Sequence, residues 1–61
     1  MTFKKMRKFA SRGGFTLGKS HKERYLFVLK NNRTNAERHY SNLEEIRPDV
    51  EEIMECGTPF A

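Results

Sequence analysis

Arg24-Tyr25-Leu26-Phe27-Val28-Leu29-Lys30 holds the only run of five consecutive apolar residues in the chain. Nothing else in these 61 residues can floor a core, so the character of this segment sets the architecture. In a strand, alternation puts Tyr25, Phe27 and Leu29 on one face and Leu26 and Val28 on the other. Because both faces are apolar, periodicity alone does not separate a buried strand from a helix. Tyrosine, phenylalanine and valine favour a strand. Against that, Ser20-His21-Lys22-Glu23 just upstream has the form of a helix capping box, serine followed three residues later by glutamate. The apolar run is short and Asn31-Asn32 follows it as a natural turn, so a strand over about residues 24–31 is preferred.

On the N-terminal side, paired Gly13-Gly14 marks a joint, and Phe15-Thr16-Leu17 reads as a first strand over about residues 15–18. On the C-terminal side, residues 31–35 are polar and suited to a turn, and a hairpin would bring residues 36–40 back as a candidate third strand. A helix from Thr34 competes, because Thr34-Asn35-Ala36-Glu37 is a second capping box. A third box, Ser41-Asn42-Leu43-Glu44, coincides with an acidic first turn that suits the positive end of a helix dipole. A C-terminal helix over about 42–56 is expected to start there. Pro48 lacks an amide hydrogen and is expected to break it, leaving one turn from Asn42 to Ile46 and a second helix beginning at the proline. Val50, Ile53 and Met54 recur at helical spacing, Asp49, Glu51, Glu52 and Glu55 should face water, and Gly57 with Pro59 is a stop signal.

The expected fold is α+β: a small antiparallel hairpin or three-stranded meander covered by the C-terminal helix. An all-α arrangement of three helices is the alternative. Residues 1–13 read as a basic amphipathic or flexible arm, since Phe3, Met6, Phe9 and Ala10 share a helical face among lysines and arginines. Residues 14–57 form a single small domain, and 58–61 a tail.

A chain of this size buries only about 60% of the surface its unfolded form exposes, so its core is small. The single cysteine, Cys56, has no partner for an internal disulfide, and no paired metal-ligand spacing occurs; no cofactor is expected. A lone thiol fits a reducing, cytoplasmic setting, with Cys56 as a half-buried helix residue. No apolar run is long enough to cross a bilayer.

Charge is the main functional clue. Residues 1–30 hold nine lysines and arginines against Glu23 alone, a net +8, whereas residues 31–61 hold three arginines against seven acids, a net −4. The overall +4 therefore hides a dipolar chain. A basic half of this kind attracts phosphate backbones or acidic protein surfaces.

Residues 13–20, Gly-Gly-Phe-Thr-Leu-Gly-Lys-Ser, satisfy the phosphate-loop pattern G-x-x-x-x-G-K-[ST]. The chemistry needs a buried parallel strand before the loop and a helix after it. Lys8 to Arg12 makes a poor central strand, Asp49 is the only aspartate, and the chain is too short for a sheet covered on both faces, so an NTPase is rejected. What survives is a looser anion loop at Gly18, Lys19 and Ser20. His21, His39 and Cys56 are too scattered for a metal triad, and a domain this small offers little concave space for nucleophilic catalysis.

These residues suggest a non-catalytic accessory or regulatory protein that contacts nucleic acid, or a nucleic-acid-handling complex, through its basic N-terminal half. The expected contacts are Lys4, Lys5, Arg7, Lys8, Arg12, Lys19, Lys22 and Arg24, with aromatic residues interleaved among them. The alternative is a modulator or inhibitor that docks on a larger enzyme by charge complementarity.

Overall fold

The computed structural model describes residues 2–61. Its elements run α1 (Phe3–Arg12), β1 (Phe15–Lys19), β2 (Phe27–Asn31), β3 (Glu37–Tyr40) and α2 (Leu43–Met54). The strands form an antiparallel sheet in the order β1-β2-β3. Leu17 pairs with Leu29 on one side and Leu29 with Arg38 on the other. This is the α+β meander, and the all-α alternative is set aside.

Both helices lie on one face of the sheet, α1 against β1 and α2 against β3, and they touch each other. The alternation in the strands shows which face they cover. Phe15, Leu17, Leu29, Asn31 and Tyr40 are buried, while Thr16 and Glu37 are exposed. The helices complete the core with Met6 and Ala10 from α1 and Ile46, Val50 and Ile53 from α2. Leu17, Leu29, Ile46 and Val50 are the largest fully buried side chains. Each contributes about 1.5–3 kcal/mol of apolar burial.

The segment expected as an arm is therefore a helix with two residues in the core, and Phe3 and Phe9 pack beside them. Thr2 caps it, its Oγ1 accepting from the Lys5 amide at 3.3 Å. The helix ends where Gly13 donates to the Phe9 and Ala10 carbonyls. Gly13 is needed there because a Cβ would collide with Ile53 Cγ2, and Gly14 follows with φ of 82°, in the left-handed region.

Residues 24–30 behave differently from the expectation. The strand begins at Phe27, leaving Arg24, Tyr25 and Leu26 in the β1–β2 connection, with Leu26 64% exposed. One face of β2 is covered and the other is open, as an antiparallel sheet permits.

The capping boxes also resolve unequally. Ser20 Oγ accepts from the Lys22 amide, and Thr34 Oγ1 from the Ala36 amide, so both hydroxyls close local turns instead of starting helices. At the β2–β3 turn, Asn31 Oδ1 accepts from the Arg33 and Thr34 amides while its Nδ2 donates to the Phe60 carbonyl. Both polar atoms of this buried side chain thereby have partners. Asn35 then takes φ of 64°, which asparagine tolerates better than most residues.

At α2 the cap is Asn42, one residue later than expected. Asn42 Oδ1 accepts from the Glu45 amide at 3.0 Å, and Glu45 Oε2 accepts from the Ser41 amide at 3.1 Å. The expected break at Pro48 does not occur: the proline sits inside a continuous helix. A proline in a helix interior costs about 3 kcal/mol. Keeping Ile46, Val50 and Ile53 on one buried face gains about 1.5–3 kcal/mol for each, so packing wins. Pro48 itself is exposed. The helix stops at Met54, short of the expected residue 56. Cys56, expected half-buried in it, is exposed and adopts φ of 65°.

Asp49 corrects another expectation, since it does not simply face water. The Tyr40 hydroxyl donates to Asp49 Oδ2, and Arg38 Nη1 reaches the same oxygen at 3.2 Å, tying β3 to α2. Burial, then the hydrogen bond and the charge of Asp49, push the Tyr40 phenol above its ordinary value. In the unfolded chain that phenol ionises near pH 10, while in the folded chain it keeps its proton, so the contribution is full below about pH 10 and lost as pH rises. Urea midpoints measured from neutral to strongly alkaline pH should fall above about pH 10. Tyr40→Phe should flatten that fall and cost about 1 kcal/mol at neutral pH.

Candidate functional site

The dipolar sequence becomes a dipolar surface because the basic helix and the acidic helix lie side by side on the same sheet face. Burying Phe3, Met6, Phe9 and Ala10 turns Lys4, Lys5, Arg7, Lys8 and Arg12 outward, and all five are exposed. Arg12 also rests over the Phe9 ring, 5.8 Å from its centroid.

The second basic group lies in and beside the β1–β2 connection. Lys19 ends β1, and Lys22 and Arg24 follow in the loop, all three exposed. Gly18 belongs to the strand, paired with Val28, as does Lys19, paired with Phe27. The anion loop expected at Gly18, Lys19 and Ser20 is thus a strand end and its first loop residue. Ser20 Oγ already serves the Lys22 amide and His39 Nδ1, the latter at 2.8 Å.

Packing brings the start of the first group to the second. The Phe3 ring lies 5.3 Å from Phe27, and Phe27 pairs with Lys19 in the sheet, so the start of α1 sits under the β1–β2 end. Lys4 and Lys5 therefore join Lys19, Lys22 and Arg24 there, with Arg7, Lys8 and Arg12 continuing along the helix. Glu23 in the loop and Glu44 and Glu45 at the start of α2 border this region. Glu45 is engaged by the Ser41 amide.

Two ion pairs occur among the described residues, Arg38 with Asp49 at 3.2 Å and Arg47 with Glu51 at 2.9 Å. Both use acids of α2, and neither involves a basic residue of α1 or the β1–β2 connection. The first turn of α1 also carries Lys4 and Lys5 with no acid, at the end where the helix dipole disfavours cations. By contrast, α2 carries Glu44 and Glu45 in its first turn, as dipole stabilisation favours. Lys4 and Lys5 are thus not placed for the stability of their own helix, whereas Arg12, in the last turn, is.

Elsewhere the surface is shallower in chemistry. A groove of about 470 Å³ opens between the C-terminal ends of the helices, lined by Phe9, Arg12, Ile53, Met54 and Cys56 among others. No group of three or more histidine, cysteine, aspartate or glutamate side chains able to hold a metal ion occurs among the described residues. No helix among them is long and apolar enough to cross a membrane.

Sequence reasoning missed the arrangement around His39. It weighed His39 only as a metal ligand and set Tyr25 in the central strand on the face of Phe27 and Leu29. The structure sets their rings 5.7 Å apart and bonds His39 to Ser20. The alternation of β3 around buried Tyr40 was the available signal, since it puts His39 on the uncovered face.

No protein-family model matches the chain, and neither the curated proteins nor the solved structures show a significant match to it. The functional reading therefore rests on the geometry.

Proposed function

We propose that this chain is a small non-catalytic accessory protein that binds nucleic-acid backbone through α1 and the β1–β2 connection. The observation that supports this reading is the set of cations at Lys4, Lys5, Arg7, Lys8, Arg12, Lys19, Lys22 and Arg24. They are exposed, lie on two elements joined by the Phe3–Phe27 contact, and take no part in the two ion pairs of the described residues. Phosphates are the complementary ligand, and each one neutralised releases condensed counterions.

Binding of this kind is salt-dependent and largely indifferent to sequence. Titrating labelled RNA and DNA at several salt concentrations should give a log–log slope of about −0.7 to −0.9 per phosphate contacted, so five contacts give about −4. Absence of binding at low salt, or a flat salt dependence, sinks the reading. Docking on a larger enzyme by charge complementarity is then the reading to pursue, with the exposed acids Glu44, Glu52 and Glu55 of α2 and its C-terminal cap as the second charged surface.

A further inference from the structure

We infer that the open face of the sheet, next to the basic end, is a stacking surface for the bases of single-stranded nucleic acid. This rests on the proposed backbone binding and names the form of nucleic acid that the site takes.

The face is built in rows across the three strands. Gly18, Val28 and His39 make the central row, and Thr16, Lys30 and Glu37 the next. Toward the basic end, Ser20 and Leu26 continue it, held by the Ser20 amide bonding to the Leu26 carbonyl and the Leu26 amide to the Tyr40 carbonyl. Both helices are on the other side, so no element among the described residues covers these rows.

Three features suit flat, apolar-faced ligands carrying negative charge. First, Tyr25 leans toward His39 with the ring centroids 5.7 Å apart and remains 37% exposed, while Leu26 beside it is 64% exposed. Second, the Ser20 hydroxyl holds His39 Nδ1 at 2.8 Å, so the imidazole is already oriented. Third, a Cβ placed on Gly18 would meet nothing within 4 Å, so Val28 lies open on its β1 side with the imidazole on the other. Base stacking on such rings tolerates any sequence because every base has a π-face.

Charge chooses the occupant. Lys30 stands on the open face and Lys22 and Arg24 at its basic end, against Glu37 and Glu23. A phosphodiester chain that binds α1 and the loop has its next positively charged support here. A duplex keeps its bases paired inside and has nothing to offer Tyr25 and His39, whereas single-stranded bases are free to stack.

The test uses fluorescence anisotropy on the full chain with an oligouridylate and an RNA duplex, each about ten nucleotides or base pairs long, at equal salt. The expected result is single-strand binding at least about tenfold tighter than duplex binding. Tyr25→Leu removes a ring, and Gly18→Val puts a branched side chain beside Val28 at a position with open space; neither changes charge. Each should weaken oligouridylate binding by about tenfold while leaving duplex affinity and the salt slope unchanged. Tyr25→Phe, which keeps the ring, should retain wild-type affinity. Salt-dependent binding with equal affinity for both forms, and no effect of Tyr25→Leu or Gly18→Val, overturns the stacking surface and leaves the backbone reading standing. Absence of binding to either form at low salt overturns both.

Discussion

A chain lacking residues 1–12 should show no cooperative thermal transition. The physical reason lies in the helical layer. Met6 and Ala10 are almost completely buried, at 2% and 0% exposure, and Phe3 and Phe9 pack against the same cluster. Losing Met6 and the buried parts of two phenylalanines removes about 5 kcal/mol of apolar burial. A domain of this size has about 3–9 kcal/mol of net stability in total. Removal would also uncover Phe15, Leu17 and Ile53, which α1 helps to shield, so the loss is not confined to the deleted residues. Circular dichroism during heating would check this, with a proton–nitrogen correlation spectrum to test for a unique fold. A transition near that of the full chain would mean that residues 13–61 hold the core alone and that α1 is an appendage.

Reversing the charge of α1 should separate binding from stability. Lys4→Glu, Lys5→Glu, Arg7→Glu and Lys8→Glu together alter only exposed positions. If four phosphate contacts are lost, the salt slope should become shallower by about 3, and affinity at low salt should fall by at least about a hundredfold. Stability should move the other way. New acids at positions 4 and 5 would face the positive end of the helix dipole, where each contributes about 0.3–1 kcal/mol. The expected result is a protein that melts at an equal or higher temperature and no longer binds. Unchanged affinity would remove α1 from the interface. Reversing Glu52 and Glu55 of α2 to lysine provides the contrast, since backbone binding should then strengthen and docking through the acidic helix should fail.

The corrections to the sequence reading share one cause. Three capping boxes were visible at Ser20, Thr34 and Ser41, and each is a locally correct hydrogen-bonding pattern. Only near the third does a helix follow, because only there do the next residues, with Ile46, Val50 and Ile53, present an apolar stripe to bury. Even that cap falls on Asn42. The other hydroxyls spend the same local chemistry on turns. Pro48 makes the complementary point: the local rule predicts a break, and three buried side chains on one face outweigh it.

The candidate interface was legible as a list of cations but not as a surface. Lys4 and Lys5 are separated from Lys22 and Arg24 by a strand and a turn in sequence, and it takes the Phe3–Phe27 contact to put them at one end. Tyr25 and His39 are fourteen positions apart. Their meeting depends on the register of β2 with β3, in which Val28 lies opposite His39.

By itself, the sequence favoured the α+β class over an all-α one, placed the strands to within a few residues, and determined the charge map. Those follow from local alternation, turn chemistry and the side chains' own ionisation. The tertiary structure alone decided that the basic segment is a core helix, that α2 continues through Pro48, and that the 24–30 stretch is covered on one face only. These outcomes depend on which apolar surfaces meet. That choice placed both helices on one side of the sheet and left Tyr25, Val28 and His39 on the open side.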